Sequence, residues 1–333
     1  MAEFISSFIT GFQSVVESDL AARFPKIKIL NLFDGLIHYR FDGDSRELEK
    51  IIYFNNTFFV LKTMKGKGLN FPSLIGAVTS SKNYFLVNKG SFRVRFQNEN
   101  QFAKVDKNLT RRAEDYILSN SKLKLDRLSP TNEVWFSIRR EGFSFCGELI
   151  SKREFTEKNL NKGELRPEIA YFICCFADIK SEDTILEPFC GYGSIPTQLA
   201  KKFHFKKLYI SDIDAERVKL TKSRKQISNA SEGIIDCQVA DAMSLNNIED
   251  KSISLVITDP PWGYYEDIDD INDFYNRMFR SFDRVLKTDG RMVILSARKE
   301  ELEQTAVANG FKIKNSLHTL VNGKKAGLYL IER

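Results

Sequence analysis

A chain of 333 residues, 42% hydrophobic and 28% charged, has the composition of an ordinary soluble globular protein. It is long enough for two or three domains of about 100–200 residues each. No run approaches the roughly 18 apolar residues of a membrane-spanning helix. Met1–Thr10 carries Glu3 and no basic stretch, so it does not read as a secretory signal. The formal charge of +6 is unevenly placed: residues 60–165 carry 20 Lys/Arg against 11 Asp/Glu, whereas residues 166–333 carry 24 against 25. A basic middle segment is the footprint of polyanion binding or a solvated lysine-rich face; charge alone does not choose between them.

In chain order, apolar alternation and helical spacing predict a small α+β unit first. It comprises strand Glu3–Ile9, helix Gln13–Arg23, strands Lys28–Leu32 and Gly35–Phe41, helix Ser45–Ile51 and strand Thr57–Lys65. Residues 66–90 are punctuated by Gly66, Gly68, Pro72 and Gly90 and read as irregular. A second unit follows: strand Ser91–Gln97, helix Thr110–Ser121 with Thr110 as its cap, and strands Glu133–Arg140 and Phe143–Ile150 about the Glu141-Gly142 turn. Polar Ser151–Glu164 reads as a linker. Beyond Arg166 strands and helices alternate: Pro167–Phe176 (helix), Thr184–Leu186, Ser194–Lys202 (helix), Lys207–Ser211, Ala215–Ile227 (helix), Ile234–Val239 and Ile253–Thr258. Helix Asn272–Leu286, strand Arg291–Ser296 and helix Lys299–Asn309 come next. Strands Lys312–Leu320 and Gly327–Glu332 close the chain, joined through Asn322-Gly323, a hairpin signal. Alternation of this kind implies a mostly parallel sheet covered by helices, here with a terminal antiparallel hairpin.

Three strand ends carry acidic residues beside a glycine loop. The first reads Glu187-Pro188-Phe189-Cys190-Gly191-Tyr192-Gly193-Ser194-Ile195, where glycines allow close backbone approach to a ligand. The third glycine of a dinucleotide fingerprint is missing, which disfavours NAD. At the second strand end Asp212 suits a ribose, and Asp214 suits the cap of the next helix. At the third, Asp241 is either a turn residue or an acceptor for an adenine amino group.

The fourth strand ends in Asp259-Pro260-Pro261-Trp262-Gly263. Two prolines stop the ladder and stiffen the loop. The Asp259 carboxylate and the Pro260 carbonyl can accept both protons of an exocyclic base amine, and Trp262 offers a stacking face. Two such acceptors localise a lone pair that the ring otherwise delocalises.

Residues from Leu165 to Leu295 resemble the class I, Rossmann-like methyltransferases that act on nucleic acid amino groups. Within them, Leu165-Arg166-Pro167, the Glu187–Ile195 run and Asp259–Gly263 resemble the THUMP-containing RNA guanine-N2 methyltransferases. Phe92-Arg93-Val94-Arg95-Phe96 and Phe143–Leu149 resemble THUMP strands, and the preceding unit resembles the ferredoxin-like domain that accompanies them. The sequence departs from the common family pattern at Glu187, Tyr192, Ser194 and Trp262.

The resemblance implies four segments: ferredoxin-like 1–65, THUMP 66–150, linker 151–164 and methyltransferase 165–333. It implies S-adenosylmethionine as methyl donor, S-adenosylhomocysteine as product, and no metal. Catalytic positions would be Asp259, Pro260 and Trp262. Cofactor positions would be Arg166, which would hold the methionine carboxylate, with Pro167, Glu187, Phe189, Cys190, Gly191, Gly193, Asp212, Ile213, Asp241 and Ala242. RNA, above all tRNA, is the expected partner, gripped by Lys65, Lys67, Arg93, Arg95, Arg111, Arg112, Arg139 and Arg140. Five scattered cysteines without a CxxC pair read as reduced thiols, and the expected location is cytoplasmic. Two other readings stand beside this one: an adenine-N6 methyltransferase, which shares the Asp-Pro-Pro-aromatic loop, and a silent RNA-binding protein that keeps the fold.

Overall fold

The computed structural model describes residues 2–87, 89–153, 160–228, 233–264 and 268–333. The chain forms two compact units, Met1–Phe8 with Leu20–Glu154, and Ile9–Asp19 with Phe155–Arg333. It opens with β1 (Ala2–Ser7), α1 (Gln13–Arg23), β2 (Lys28–Phe33), β3 (Leu36–Phe41), α2 (Ser45–Glu49) and β4 (Asn56–Lys65). Then come α3 (Phe71–Thr79), β5 (Ser91–Asn98), β6 (Gln101–Phe102), α4 (Lys107–Asn120), β7 (Lys124–Leu125), β8 (Asn132–Arg139) and β9 (Phe143–Lys152).

The first unit's strands form one nine-stranded sheet in the order β2-β3-β1-β4-β9-β8-β5-β6, with β7 on β5. The expected divide at residues 65 and 66 is therefore not a break in the sheet: β4 pairs antiparallel with β9 along most of its length. β9 also runs to Lys152, into the expected linker; residues 154–159 of that linker lie outside the described residues. Leu74, Ile75 and Val78 of α3 and Ala113 and Ile117 of α4 pack with Phe92, Phe96 and Phe136.

Helix α3 falls in the stretch expected to be irregular. Pro72 sits in its first turn, where a missing N–H is harmless, and Asn70 caps it by accepting from Ser73 N at 2.9 Å. Helix α4 starts three residues before the expected point, because Asp106 rather than Thr110 accepts from its first amides.

Glu148 of β9 is a buried carboxylate in this unit. It accepts from Leu86 N at 2.5 Å and Val87 N at 3.3 Å. Burial pushes it up to about 7, against the pull of those two donors. Folding thus takes up a proton: the stability linked to Glu148 is fully present below the ordinary 4.5 and lost as pH rises through 7. Relative to Glu148→Gln, the wild type is expected to lose about 2–3 kcal/mol between pH 5 and 8 in urea unfolding. Parallel stability curves for the two proteins would contradict this.

The second unit holds α5 (Pro167–Phe176), β10 (Thr184–Glu187), α6 (Ser194–Lys202), β11 (Lys207–Asp212), α7 (Ala215–Ser223), α8 (Lys225–Ser228) and β12 (Ile234–Val239). After these come β13 (Ile253–Thr258), α9 (Ile271–Val285), β14 (Leu286–Ser296), α10 (Lys299–Ala308), β15 (Lys312–Val321) and β16 (Lys324–Glu332). The expected single helix over Ala215–Ile227 is broken into α7 and α8. The sheet is mixed and seven-stranded, in the order β12-β11-β10-β13-β14-β16-β15. β12 through β14 pair in parallel, and β16 is antiparallel to both β14 and β15. Tyr275, Met278, Phe279, Phe282 and Val285 form one face of α9, at helical spacing, and lie in the main core with Val256, Met292 and Ile294. Strand order reverses at β10, and such a reversal opens a crevice at the carboxyl ends of the strands.

Ile9–Asp19 is an unexpected part of this unit, since residues 1–65 were read as one N-terminal domain. Phe12 is fully buried and stacks on Phe172 at 4.4 Å. Tyr171 donates to Asp19 Oδ1 at 2.6 Å, and Thr319 donates to the Thr10 carbonyl at 2.8 Å. Gly11 has φ +92°, and a Cβ there would lie 1.9 Å from the His318 carbonyl oxygen, so the segment is fitted closely onto β15. Phe12→Ala is expected to destabilise the unit by about 3–5 kcal/mol, read in denaturant melts; an unchanged midpoint would contradict it.

Candidate active site

The carboxyl ends of β10, β11, β12 and β13 open onto one cavity of about 550 Å³. That size lies within the roughly 300–1,000 Å³ of small-molecule sites. One half is built by the glycine loop. Cys190 N donates to the Ser211 carbonyl, and Gly193 N to the Cys190 carbonyl, closing a tight turn that leads into α6. Asp212 is buried, and its two oxygens each take one backbone N–H: Gly191 N at 2.8 Å and Asp214 N at 3.0 Å. Each oxygen retains a lone pair for a hydroxyl. Asp214 caps α7 through Glu216 N at 2.9 Å, the role expected of it from the sequence. Ile213 is 73% exposed and, with Ala242, lines the cavity as apolar surface for a flat ring. Asp241 also lines it, with Oδ1 taking Met243 N at 2.9 Å.

Glu187 is fully buried at the foot of the cavity. Its Oε1 accepts from Thr258 Oγ1 at 2.7 Å and from Phe189 N at 3.1 Å. Burial pushes its carboxyl well above the usual carboxylate range; those hydrogen bonds oppose the rise, and Asp259 and Asp212 add to it. Thr258 is the last residue of β13, so Glu187 ties the glycine-loop strand to the strand that delivers Asp259.

The other half of the cavity is the Asp259–Trp262 loop. Asp259 is half-buried and Pro260 buried; both line the cavity with Pro261 and Trp262. The Trp262 indole N–H is buried and has no hydrogen-bond partner among the described residues. Its carbonyl accepts from Arg298 Nε at 3.0 Å. Arg298 N in turn donates to Ser296 Oγ, which bonds the buried Tyr275 hydroxyl at 2.8 Å. The loop is thereby anchored to β14 and α9. Phe189 packs against Phe274 with ring centroids 5.9 Å apart, adding an aromatic wall.

Most of the expected cofactor positions therefore converge. Arg166, Pro167 and Gly193 are outside the lining: the segment before α5 contributes only as far as Leu165, and Gly193 shapes the glycine turn from behind it. The Arg166 guanidinium is bonded to Glu168, with Nε donating at 2.6 Å. Sequence reasoning missed Glu164, which lines the cavity and accepts from Arg224 at 2.8 Å. It also missed Phe274, Arg277, Asn322 and Lys324, which reach the cavity from distant elements. The acidic run from Glu266 to Asp273 lies partly outside the described residues; Asp270 caps α9.

The basic candidates of the first unit divide. Lys65, Lys67, Arg139 and Arg140 line one groove. Arg139 is buried there and serves the unit's own structure, donating to the Asp34 carbonyl at 3.1 Å and to Glu141 at 3.3 Å. Arg93 and Arg95 converge on Glu133, Arg93 Nε at 2.8 Å and Arg95 Nε at 3.5 Å, because β5 and β8 place all three on one face. Arg111 and Arg112 are exposed on α4. Exposed Lys65, Lys67, Arg111, Arg112 and Arg140 are better placed for an external polyanion than the other three.

A mixed sheet of this order, with a glycine loop, an acidic second strand end and Asp-Pro-Pro-Trp on the fourth, defines a methyltransferase. Residues 153–326 match the UPF0020 family model, described as the RMKL-like methyltransferase domain, and the chain belongs to that family. It is 30% identical over 140 residues to a probable tRNA (guanine(10)-N2)-dimethyltransferase of Methanothermococcus thermolithotrophicus, covering 41% of this chain and 83% of that one. It is 23% identical over 249 residues to the tRNA (guanine(6)-N2)-methyltransferase of Thermus thermophilus, covering 73% of each. Among solved structures, TrmN from Thermus thermophilus superposes with a TM-score of 0.79 at 19% identity, over 100% of both chains.

Proposed function

We propose that this protein is an S-adenosylmethionine-dependent tRNA methyltransferase that modifies the exocyclic N2 of a guanosine. The observation that carries the reading is the meeting of Asp259-Pro260-Pro261-Trp262 with the Asp212-braced glycine loop in one cavity. The names of the relatives, all guanine-N2 enzymes of tRNA, support the choice of base and polymer.

The cavity residues fit the cofactor. Asp212 retains acceptor capacity for ribose hydroxyls, Ile213 and Ala242 present apolar surface for adenine, and Asp241 stands ready for its amino group. The cofactor supplies an electrophilic methyl group on a sulfonium. Arg166 adjoins the lining residue Leu165 and would hold the methionine carboxylate, with Glu168 orienting its guanidinium.

Asp259 and the Pro260 carbonyl orient the base amine and take up the positive charge that develops on it. Asp259 then receives the departing proton, directly or through water. Trp262 stacks on the unstacked base. The first unit serves as the ferredoxin-like and THUMP part that grips RNA, working where tRNA is, in the cytoplasm.

Calorimetry and tritium transfer test this together. S-adenosylmethionine is expected to bind, and label from it to appear in tRNA but not in duplex DNA. Intact tRNA binding without cofactor binding would overturn the reading in favour of a silent RNA-binding protein, and label in DNA alone would overturn the choice of polymer.

A further inference from the structure

Tyr264, two residues beyond Trp262, is 42% exposed and carries two cations over its ring. Lys324 Nζ stands 3.4 Å from the ring centroid and Arg298 Cζ 4.8 Å from it. Arg298 is the same residue that holds the Trp262 carbonyl. Lys324 comes from the far end of the sequence. The two-residue turn between β15 and β16, with Asn322 at φ +50° and Gly323 at φ +79°, brings Val321, Asn322 and Lys324 into the cavity lining.

The charge around it is uneven. Glu164, Asp212, Asp214, Asp241 and Asp259 line the cavity, with Glu187 buried at its foot. Among the other lining cations, Arg217 pairs with Asp214 at 3.4 Å, Arg277 pairs with Asp273 at 4.0 Å, and Lys162 enters from the segment before α5. Lys324 has no carboxylate within ion-pair distance among the described residues, and its ammonium rests on the ring of Tyr264. An acidic cavity suits a cationic sulfonium and a base amine, but it repels a phosphodiester. A nucleotide delivered to Trp262 carries phosphodiesters on both sides, and these need a cation at the rim of the cavity.

We propose that Lys324, held over Tyr264 with Arg298 beside it, binds a phosphodiester flanking the target guanosine, so that the hairpin turn sets how deeply the base enters. This rests on the function proposed above. The ring fixes the ammonium without neutralising it, and Arg298 couples that seat to the base-stacking loop through the Trp262 carbonyl.

The test uses full-length protein and tRNA transcribed in vitro without modifications. Lys324→Met keeps the stem and removes the charge. It is expected to lower kcat/KM for tRNA by about 10–100-fold, the size of a lost charge-assisted contact. It is expected to flatten the log–log salt dependence of tRNA binding by about 0.7–0.9. Affinity for S-adenosylmethionine is expected to be unchanged, and Lys324→Arg to restore most of the rate. Lys325→Ala, which removes the adjacent exposed cation, serves as the control for bulk charge and is expected to behave as wild type.

A Lys324→Met protein with wild-type kcat/KM would overturn the proposal, as would an unchanged salt slope. Failure of Lys324→Arg to restore the rate would also count against it. If the wild type transfers no methyl to tRNA guanosine, the underlying function fails and takes this proposal with it. If the wild type transfers and Lys324→Met matches it, the phosphate seat alone fails.

Discussion

Asp259→Ala is expected to lower single-turnover methyl transfer about a thousandfold while leaving cofactor and tRNA affinity little changed. The carboxylate acts on charge that appears on the amine only as the new bond forms. Its loss therefore falls on kcat and kcat/KM alike, not on KM. Asp259→Asn keeps an acceptor and loses the charge, so its rate is expected to lie between the two. Asp259 is half-buried on a loop that Arg298 anchors through the Trp262 carbonyl, a contact the substitution leaves in place. Normal turnover in the alanine variant would remove Asp259 from the chemistry. A loss confined to tRNA affinity would reassign it to binding.

Gly193→Ala is expected to raise the dissociation constant for S-adenosylmethionine by at least about 30-fold. Gly193 has φ +80°, a region that costs an L side chain about 1–2 kcal/mol. Its Cβ would lie 2.7 Å from Thr221 Oγ1 and 2.9 Å from Thr221 Cγ2. Thr221 cannot yield easily: it is fully buried, and its hydroxyl donates to the Gly191 carbonyl at 3.2 Å. The loop must move instead, and Gly191 N then leaves Asp212. Calorimetry reads the effect directly. Adding Thr221→Ala removes the collision but not the backbone strain, so the double variant is expected to recover part of the affinity. Equal affinity for wild type and Gly193→Ala would show that the loop's shape does not govern cofactor binding.

The legible part of this site is local in sequence. A strand that ends in an acidic residue and runs into a glycine turn or a proline pair declares both its direction and its end, so Glu187, Asp212, Asp241 and Asp259 were all readable. Helix α3 was less so, because Pro72 reads as a break until Asn70 is seen to cap the helix whose first turn holds it. The Arg93–Arg95 pair alternates as a binding stripe does, yet parallel pairing with β8 sets it against Glu133, a cross-strand fact that the stripe does not contain. Arg139 was exposed by pattern and buried by tertiary fit.

The least legible features are brought together by topology across long separations. Lys324 and Asn322 reach the cavity only because β16 inserts between β14 and β15. Ile9–Asp19 joins the catalytic unit through Phe12 on Phe172, a contact no window of sequence spans. Glu164 was assigned to a linker by its polar neighbours, although Arg224 makes it a buried wall of the site.

The central claim is that this cavity methylates the N2 amino group of guanosine in tRNA. Nucleoside mass spectrometry tests it most directly, on unmodified tRNA treated with the enzyme and methyl-labelled S-adenosylmethionine. Labelled N2-methylguanosine is the predicted product, absent when Asp259→Ala replaces the wild type. Label found in N6-methyladenosine, with none in guanosine, would contradict the account.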